Sequence, residues 1–357
     1  MNPSTDCFTF LFIKEAVLIK KDITQTTMQF VFNQMKTPYK QGMILIEEGC
    51  YLDCPSVFRD DTASCWCLVF ARYHPLAGDQ AGYETWMATS DDLLNWQVKG
   101  RILSQGSGGW DDRQVNGAVA LIDPEWNGTH NPSLFNGLYW MSYLGGEKPG
   151  YEPDPLSIGM ACSDYLLPAH EWGRPLSHPV LSPNDQDARP FERQTLYKST
   201  IIRDPENRLG APFLMFYNGK QKEYSIERIG LAISDDLLHW HRYGKSYLVE
   251  TGIQDRWSIA GDPQLIHFED FWVMHYFKAH DGTAYDTFAL SDDLLNWTPW
   301  DGEPLVAPTE SYDRIFAHKP FVLKHEGIVY HFYCAVGDQG RGIALSTSEP
   351  IRNHLTD

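Results

Sequence analysis

The sequence predicts an all-β fold, a five-bladed β-propeller of four-stranded antiparallel blades, and three observations carry that prediction. A seven-residue string, Ser-Asp-Asp-Leu-Leu-Asn-Trp, recurs along the chain. Its copies are spaced by about the length of one small sheet. Each copy is preceded by the same succession of short, aromatic-rich apolar runs and turn clusters, the pattern of a propeller blade.

The string is complete at residues 90–96 and 291–297, and at 234–240 a His replaces the Asn. A looser copy starts at Ser163 and reaches its tryptophan at Trp172, and a reduced copy occupies 344–348. The five serines, Ser90, Ser163, Ser234, Ser291 and Ser346, stand 73, 71, 57 and 55 residues apart. Upstream of each copy, three extended segments are expected. The first, nearest the axis, covers 56–59, 119–123, 200–203, 264–268 and 321–324. The second covers 66–73, 138–143, 212–217, 271–277 and 328–334. The third covers 83–89, 156–162, 229–233, 287–290 and 342–345. A further extended stretch follows each of the first four copies and completes a four-stranded meander. Within the string, Ser-Asp opens a turn, and fivefold repetition assigns the tryptophans to packing between blades rather than to ligand.

The fifth unit leaves no room for a fourth strand before Asp357. A strand from the N-terminal side, within 28–32 or 43–47, is therefore expected to close the ring and remove its open edge. This divides the chain into an N-terminal extension, 1–42, and the propeller, 43–357. No segment shows sustained 3.6-residue periodicity.

Composition narrows the partners. A formal charge of −18 disfavours nucleic acid, whose phosphates need a basic face. No run reaches the roughly 18 apolar residues of a membrane span, and residues 8–13 make a poor leader, so a cytoplasmic protein is expected. The seven cysteines are odd in number and irregular in spacing, which argues against a disulfide framework. Cys50, Cys54, Cys65 and Cys67 lack the paired knuckles of a zinc site, and neither metal nor cofactor is expected.

Propeller chemistry is expected where the segments leading into the innermost strands converge. Those lead-ins carry acid–arginine neighbours in four blades: Asp112-Arg113 with Asp111 beside it, Glu192-Arg193, Asp255-Arg256 and Asp313-Arg314. A second polar set lies closer to the strand: Asp53, Lys198, Asp262, His318 and Lys319. Aromatic residues are interleaved, namely Tyr51, Trp110, Tyr197, Trp257 and Phe316. Carboxylates flanked by aromatic faces are what glycosidic cleavage needs, with one acid to protonate the leaving oxygen, a second to activate water or attack, and rings to hold the sugar. The alternative for the acid–arginine neighbours is a set of ion pairs bracing the blades, and for His318 a satisfied core histidine. Arginines and lysines turned inward could instead hold phosphate, sulfate or a uronate.

With these motifs the sequence resembles the five-bladed propeller glycosidases, glycoside hydrolase families 43, 32, 68 and 130 and their relatives, over residues 43–350. The resemblance rests on the blade repeat and on Leu52-Asp53-Cys54-Pro55-Ser56-Val57-Phe58. That segment is similar to the Asp-Pro-Ser-Val start of blade one, with Cys54 inserted between Asp and Pro. Ala317-His318 resembles the Gly-His of blade five, where relatives hold a channel metal or water. The resemblance implies Asp53 as general base or nucleophile, Glu192 as general acid, and Asp112 (or Asp111) as the residue that orients the acid and sets its pKa. Where those families place the acid closer to the strand, this sequence has Tyr197-Lys198, which makes Asp262 a substitute. Tyr51, Trp110, Arg113, Arg193, Tyr197, Lys198, Trp257, Asp262, His318 and Lys319 are the expected substrate contacts. Arg203-Asp204-Pro205 and Ile122-Asp123-Pro124 imitate catalytic motifs but fall at turns. The expected activity is hydrolysis of a short oligosaccharide, with phosphorolysis or sugar binding without catalysis as alternatives.

Overall fold

The computed structural model describes residues 23–351. All five expected blades are present. After an opening helix α1 (Gln25–Met35) and strand β1 (Tyr39–Leu45), blade one is formed by β2 (Tyr51–Asp60), β3 (Cys65–Tyr73), β4 (Tyr83–Ser90) and β5 (Gln97–Leu103). Blade two holds β6 (Gln114–Val119), β7 (Tyr139–Gly146) and β8 (Ser157–Ser163), with its fourth strand reduced to a bridge between Cys162 and Gly173. Blade three is β9 (Thr195–Arg203), β10 (Phe213–Lys220), β11 (Ile226–Ser234) and β12 (His241–Arg242). Blade four is β13 (Ser258–Phe268), β14 (Phe271–His280), β15 (Thr283–Ser291) and β16 (Thr298–Pro299). Blade five is β17 (Phe316–His325), β18 (Ile328–Gly337) and β19 (Gly340–Thr347), and β1 pairs antiparallel with β19 to close the ring.

The closing strand overlaps the expected 43–47 but starts four residues earlier. The other expected segment, 28–32, is helical, against the expectation of no helix. Thr24 caps α1 by accepting from the Thr27 amide, and Met28, Val31, Phe32 and Met35 recur at helical spacing. That stripe packs on Phe268, Val273, Phe288 and Trp300 of blade four. Its eleven residues are too few for the periodicity to stand out in the sequence. Cys7 and the run 8–13 lie outside the described residues. Among the described residues no helix is long and apolar enough to cross a membrane.

The repeated string recurs because it closes a tight turn. In blade one, Asp92 accepts from the amides of Leu94 and Asn95 at 2.9 and 2.8 Å, and Leu93 adopts φ 65° to drop its side chain into the core. Asp236 with Leu237 and Asp293 with Leu294 repeat the arrangement. Each tryptophan indole donates to the same leucine carbonyl, and Trp96 and Trp297 pack edge-on against Phe332 and Phe216 of the neighbouring blades. The two imitation motifs are turn caps: Asp204 accepts from the amides of Glu206 and Arg208, and Asp123 from those of Glu125 and Thr129.

The far end of the central channel is bridged. The long connection between β6 and β7 runs across it, with the Trp126 amide bonded to the His267 carbonyl of blade four and His130 Nε2 to the Lys324 carbonyl of blade five. The His130 carbonyl also accepts from the Arg59 amide of blade one. That connection therefore crosses the far end of the axis.

Candidate active site

The innermost strands begin about five residues before the expected segments, and four of them carry a bulge, β9 between Leu196 and Ser199 and β2, β13 and β17 at a residue of positive φ. Cys54, Asp262 and Lys319 have φ of 53°, 51° and 62°, and each precedes a proline. The ladder slips at these points, between Asp53 and Ser56, Gly261 and Gln264, and His318 and Phe321. Proline offers no amide to the ladder, and the extra residue leaves the pleat. In this fold it turns to the axis. The Cys54 thiol lies 3.1 Å from Asn116 Nδ2, 3.4 Å from Lys319 Nζ and 3.5 Å from Asp262 Oδ2. Lys198 donates to the Pro55 carbonyl at 3.1 Å. One polar residue from each blade thus meets at the centre: Cys54, Asn116, Lys198, Asp262 and Lys319. Backbone strain of this kind, set in corresponding places, marks a functional centre.

Above this ring opens a pit of about 650 Å³. Apolar faces of Leu144, Trp257, Phe277 and Phe316 line it together with Tyr151, Tyr197 and four carboxylate or amide groups, Glu152, Asn218, Glu227 and Asp262. Concave, largely apolar walls with a few convergent polar groups are the form of a small-ligand site. The connection between β7 and β8 brings Tyr151 and Glu152 across the mouth. Tyr151 donates to Asp53 at 3.0 Å, while Glu152 accepts from Tyr83 at 3.2 Å and Lys319 at 3.3 Å.

The carboxylates differ sharply in environment. Asp53 is fully buried behind the pit's wall, where its Oδ2 takes Tyr83, Tyr151 and Lys319, each at 3.0 Å, and lies 3.4 Å from Arg341. Its Oδ1 accepts the Cys54 amide. Burial opposes its charge, but Arg341 and Lys319 outweigh that and hold the carboxyl well below the usual range. Glu227, at the start of β11, accepts a hydrogen bond from Asn218 Nδ2 at 3.0 Å. Burial drives its pKa up to about 8, the Lys220 ammonium works against the rise, and Glu152 and Asp262 add to it. Near neutral pH the pit therefore holds a protonated Glu227, while Lys319 stands 3.3 Å from Glu152. A neutral acid opposed to a carboxylate is the pairing that glycosidic cleavage uses.

This geometry has counterparts among known proteins over the whole ring. No family model matches the chain. A solved structure described as a glycoside hydrolase is 41% identical, covers 94% of this chain and 98% of its own, and superposes with a TM-score of 0.87. The protein belongs to the five-bladed propeller glycoside hydrolases.

A second structure, described as a complex of BT0996 and RGII, matches with the same identity, coverage and TM-score. A thermostable family-43 glycoside hydrolase, 16% identical with a TM-score of 0.62 over 88% of this chain and 98% of its own, shares the fold. Among curated proteins, the β-1,2-mannobiose phosphorylase of Thermoanaerobacter sp. (strain X514) is 25% identical over 134 residues, which is 33% of this chain and 42% of that protein.

Six of the expected contacts of this glycosidase line the pit: Tyr197, Lys198, Trp257, Asp262, His318 and Lys319. Tyr51 stands half-exposed near the mouth, stacked on Tyr73. His318 is buried with both ring nitrogens engaged, Nδ1 with the Cys334 carbonyl at 2.9 Å and Nε2 with Arg341 at 2.9 Å. Burial, with Arg341 and Lys319 nearby, lowers its pKa to about 3 and keeps the ring neutral.

The three carboxylates expected to do the chemistry do not line the pit. Asp53 lies behind the pit's wall with its oxygens occupied. Glu192 is fully buried in blade three, where it accepts from Tyr217 at 2.7 Å, from the Arg189 backbone and guanidinium, and from Arg242. Asp112 sits in a surface turn, accepting from the Gly108 amide and pairing with Arg113 at 3.2 Å. Its neighbour Asp111 repeats the Glu192 pattern with Tyr143 at 2.9 Å and Arg174 at 2.8 Å, and Asp313 repeats it with Tyr333 and Lys40. In three blades, then, a lead-in acid joins a second-strand tyrosine to a cation from the blade's outer edge. Blade four has the tyrosine without the acid: Asp255 turns to solvent beside Arg256, and the buried Tyr276 hydroxyl has no partner among the described residues. The lead-in acids Asp111, Glu192 and Asp313 are braces, but not with the arginine that follows: their cations are Arg174, Arg189 with Arg242, and Lys40. Arg193 bonds the Ala188 carbonyl, and Trp110 stacks on Tyr143.

Sequence reasoning missed Glu152, Glu227, Asn218 and Arg341. Glu152 lies in, and Glu227 just after, a connection between second and third strands that opens at the same mouth as the lead-ins, so a search of those connections would have found both. Among the described residues, Asp53, His318 and Cys334 present ligand atoms within 4.8 Å of one another. Lys319 and Arg341 already meet Asp53, and Arg341 also reaches the Cys334 sulfur at 3.2 Å and His318. Two resident cations make this trio a poor fit for a metal ion.

Proposed function

We propose that this glycoside hydrolase removes a sugar from the end of an oligosaccharide, with Glu227 as general acid and Glu152 as the carboxylate that activates water or attacks. The observation that carries the reading is the contrast between those two groups across one pit. Glu227, with a pKa of about 8, holds the proton that the departing oxygen needs. Glu152 faces the same space with Lys319 and Tyr83 holding its Oε1. Asp53 takes no proton in this scheme. It fixes Lys319, Tyr83 and Tyr151, the groups that aim Glu152. Asn218 orients Glu227 and also contacts the Asp262 amide. Because a connection crosses the far end of the channel, an oligosaccharide entering at the other end would do so terminus first, which supports exo action.

The 41% identical structure described as an RGII complex makes an RGII oligosaccharide the first substrate to try. The test is a panel of aryl glycosides and oligosaccharides, including RGII oligosaccharides, run with the wild type, Glu227→Gln and Glu152→Gln. Release of a terminal monosaccharide that both substitutions abolish supports the roles. Wild-type rates in both variants would end the assignment. Repeating the panel with inorganic phosphate separates hydrolysis from phosphorolysis, which the Lys198 ammonium, without a carboxylate partner among the described ion pairs, could otherwise serve.

A further inference from the structure

The two carboxylates stand on different walls, and this gives the pit a direction. Glu152 comes from blade two. Glu227 comes from the seam between blades three and four, where Ile226 pairs with Ser258 and Glu227 with Ile259 in a short parallel ladder. Ladder partners in a parallel pair present to the same side, as Glu227 and Ile259 do, and Trp257 stands two residues before Ile259, just ahead of β13. Both Ile259 and Trp257 line the pit. β13 starts at the mouth, so Trp257, just ahead of the strand, stands nearer the opening than the acid's ladder partner. Trp257 is 38% exposed, unusual for so large an apolar surface, and among the described residues no aromatic pairing occupies it.

We propose that Trp257 is the platform for the leaving sugar, so that the seam between blades three and four is the aglycone side of the site. The inference rests on Glu227 as general acid. A general acid must lie beside the glycosidic oxygen, on the departing side of the bond, and the departing sugar must leave through the open mouth. Among the described residues, the large apolar face that lines the pit between Glu227 and the mouth on that seam is Trp257. An indole offers a flat, rigid face of the kind on which a sugar ring stacks, with little side-chain freedom to lose.

The test compares two substrates that share the sugar bound in the pit: the oligosaccharide cut in the panel and the glycosyl fluoride of the sugar released from it. The fluoride has no aglycone to stack. For Trp257→Ala, the ratio of kcat/KM for oligosaccharide to that for fluoride is expected to fall about 10- to 100-fold, the size of one lost aromatic contact. Trp257→Phe should restore most of that ratio. A ratio that stays at the wild-type value in Trp257→Ala, whether both substrates slow together or neither does, overturns the platform. Glu227→Gln is run in parallel. If it keeps wild-type turnover of the oligosaccharide, the acid assignment itself is wrong and the direction of the site falls with it. If it is inactive while the Trp257→Ala ratio holds, only the platform fails.

Discussion

Replacing Glu227 by Gln should abolish activity and stabilise the protein at the same time, by an amount that grows with pH. The unfolded chain ionises this carboxyl near 4.5, whereas the folded protein holds the proton up to about 8. The folded pKa is raised, so the group's contribution to stability is complete below 4.5 and is lost progressively as pH rises through 8. At pH 7 the loss is about 3 kcal/mol, from about 1.36 kcal/mol for each of the roughly 2.5 pH units above the unfolded value. Glutamine is a neutral isostere that can keep a hydrogen bond with Asn218 and never needs to be protonated. The variant should therefore match the wild type near pH 4.5 and exceed it by about 3 kcal/mol at pH 7, which for a protein of this length is about 4 °C in Tm.

The measurement is thermal unfolding of both proteins at half-unit steps from about pH 4.5 to 8.5, with kcat/KM followed over the same range. Wild-type kcat/KM should hold up to about pH 8 and then fall tenfold per unit as Glu227 loses its proton. Two results would refute the reasoning: a Tm difference that stays flat across the range, or a Gln variant that melts below the wild type at pH 7. Either would mean that Glu227 is ionised in the folded protein and that its burial does not set its chemistry.

Three further outcomes follow. Glu152→Gln should lower kcat by about 10³-fold or more on the substrate found in the panel, and a loss under about tenfold would remove Glu152 from the reacting pair. Glu192→Gln leaves Arg189 and Arg242 buried without their shared carboxylate and should cost about 3–5 kcal/mol in urea unfolding while kcat per folded molecule holds; a collapse of kcat with stability intact would return Glu192 to the chemistry. Dialysis against a chelator should change the rate by less than about twofold, because two cationic side chains already meet Asp53, His318 and Cys334; activity lost and then restored by a divalent cation would reverse that reading.

The ring was legible because the turn that builds it is local. Asp92, Asp236 and Asp293 each close the same hydrogen-bonded loop with residues two and three places on, so the sequence repeats wherever the blade does. The braces were half legible. The acids at Asp111, Glu192 and Asp313 recur at the lead-ins, but their cations, Arg174, Arg242 and Lys40, come from 50 or more residues away, and adjacency pointed to Arg113, Arg193 and Arg314 instead. Glu152 and Glu227 carry no repeat at all. Each is placed once, by one connection in one blade, and only the folded ring brings them to the same space.

Cys54 explains why the expected base is displaced. In blades one, four and five the residue just before the proline is the one that leaves the ladder and reaches the axis, as Cys54, Asp262 and Lys319 do. In the Asp-Pro-Ser-Val pattern that place belongs to the aspartate. Here Cys54 takes it, and the aspartate falls one residue earlier, where strand alternation turns it to the other side. Asp53 consequently sits outside the pit's lining among Lys319, Arg341, Tyr83 and Tyr151. On the proposed reading, a single inserted residue takes a carboxylate out of the pit's wall, and the reacting acids come from elsewhere on the rim. Glu152 and Glu227 are the groups positioned to supply them.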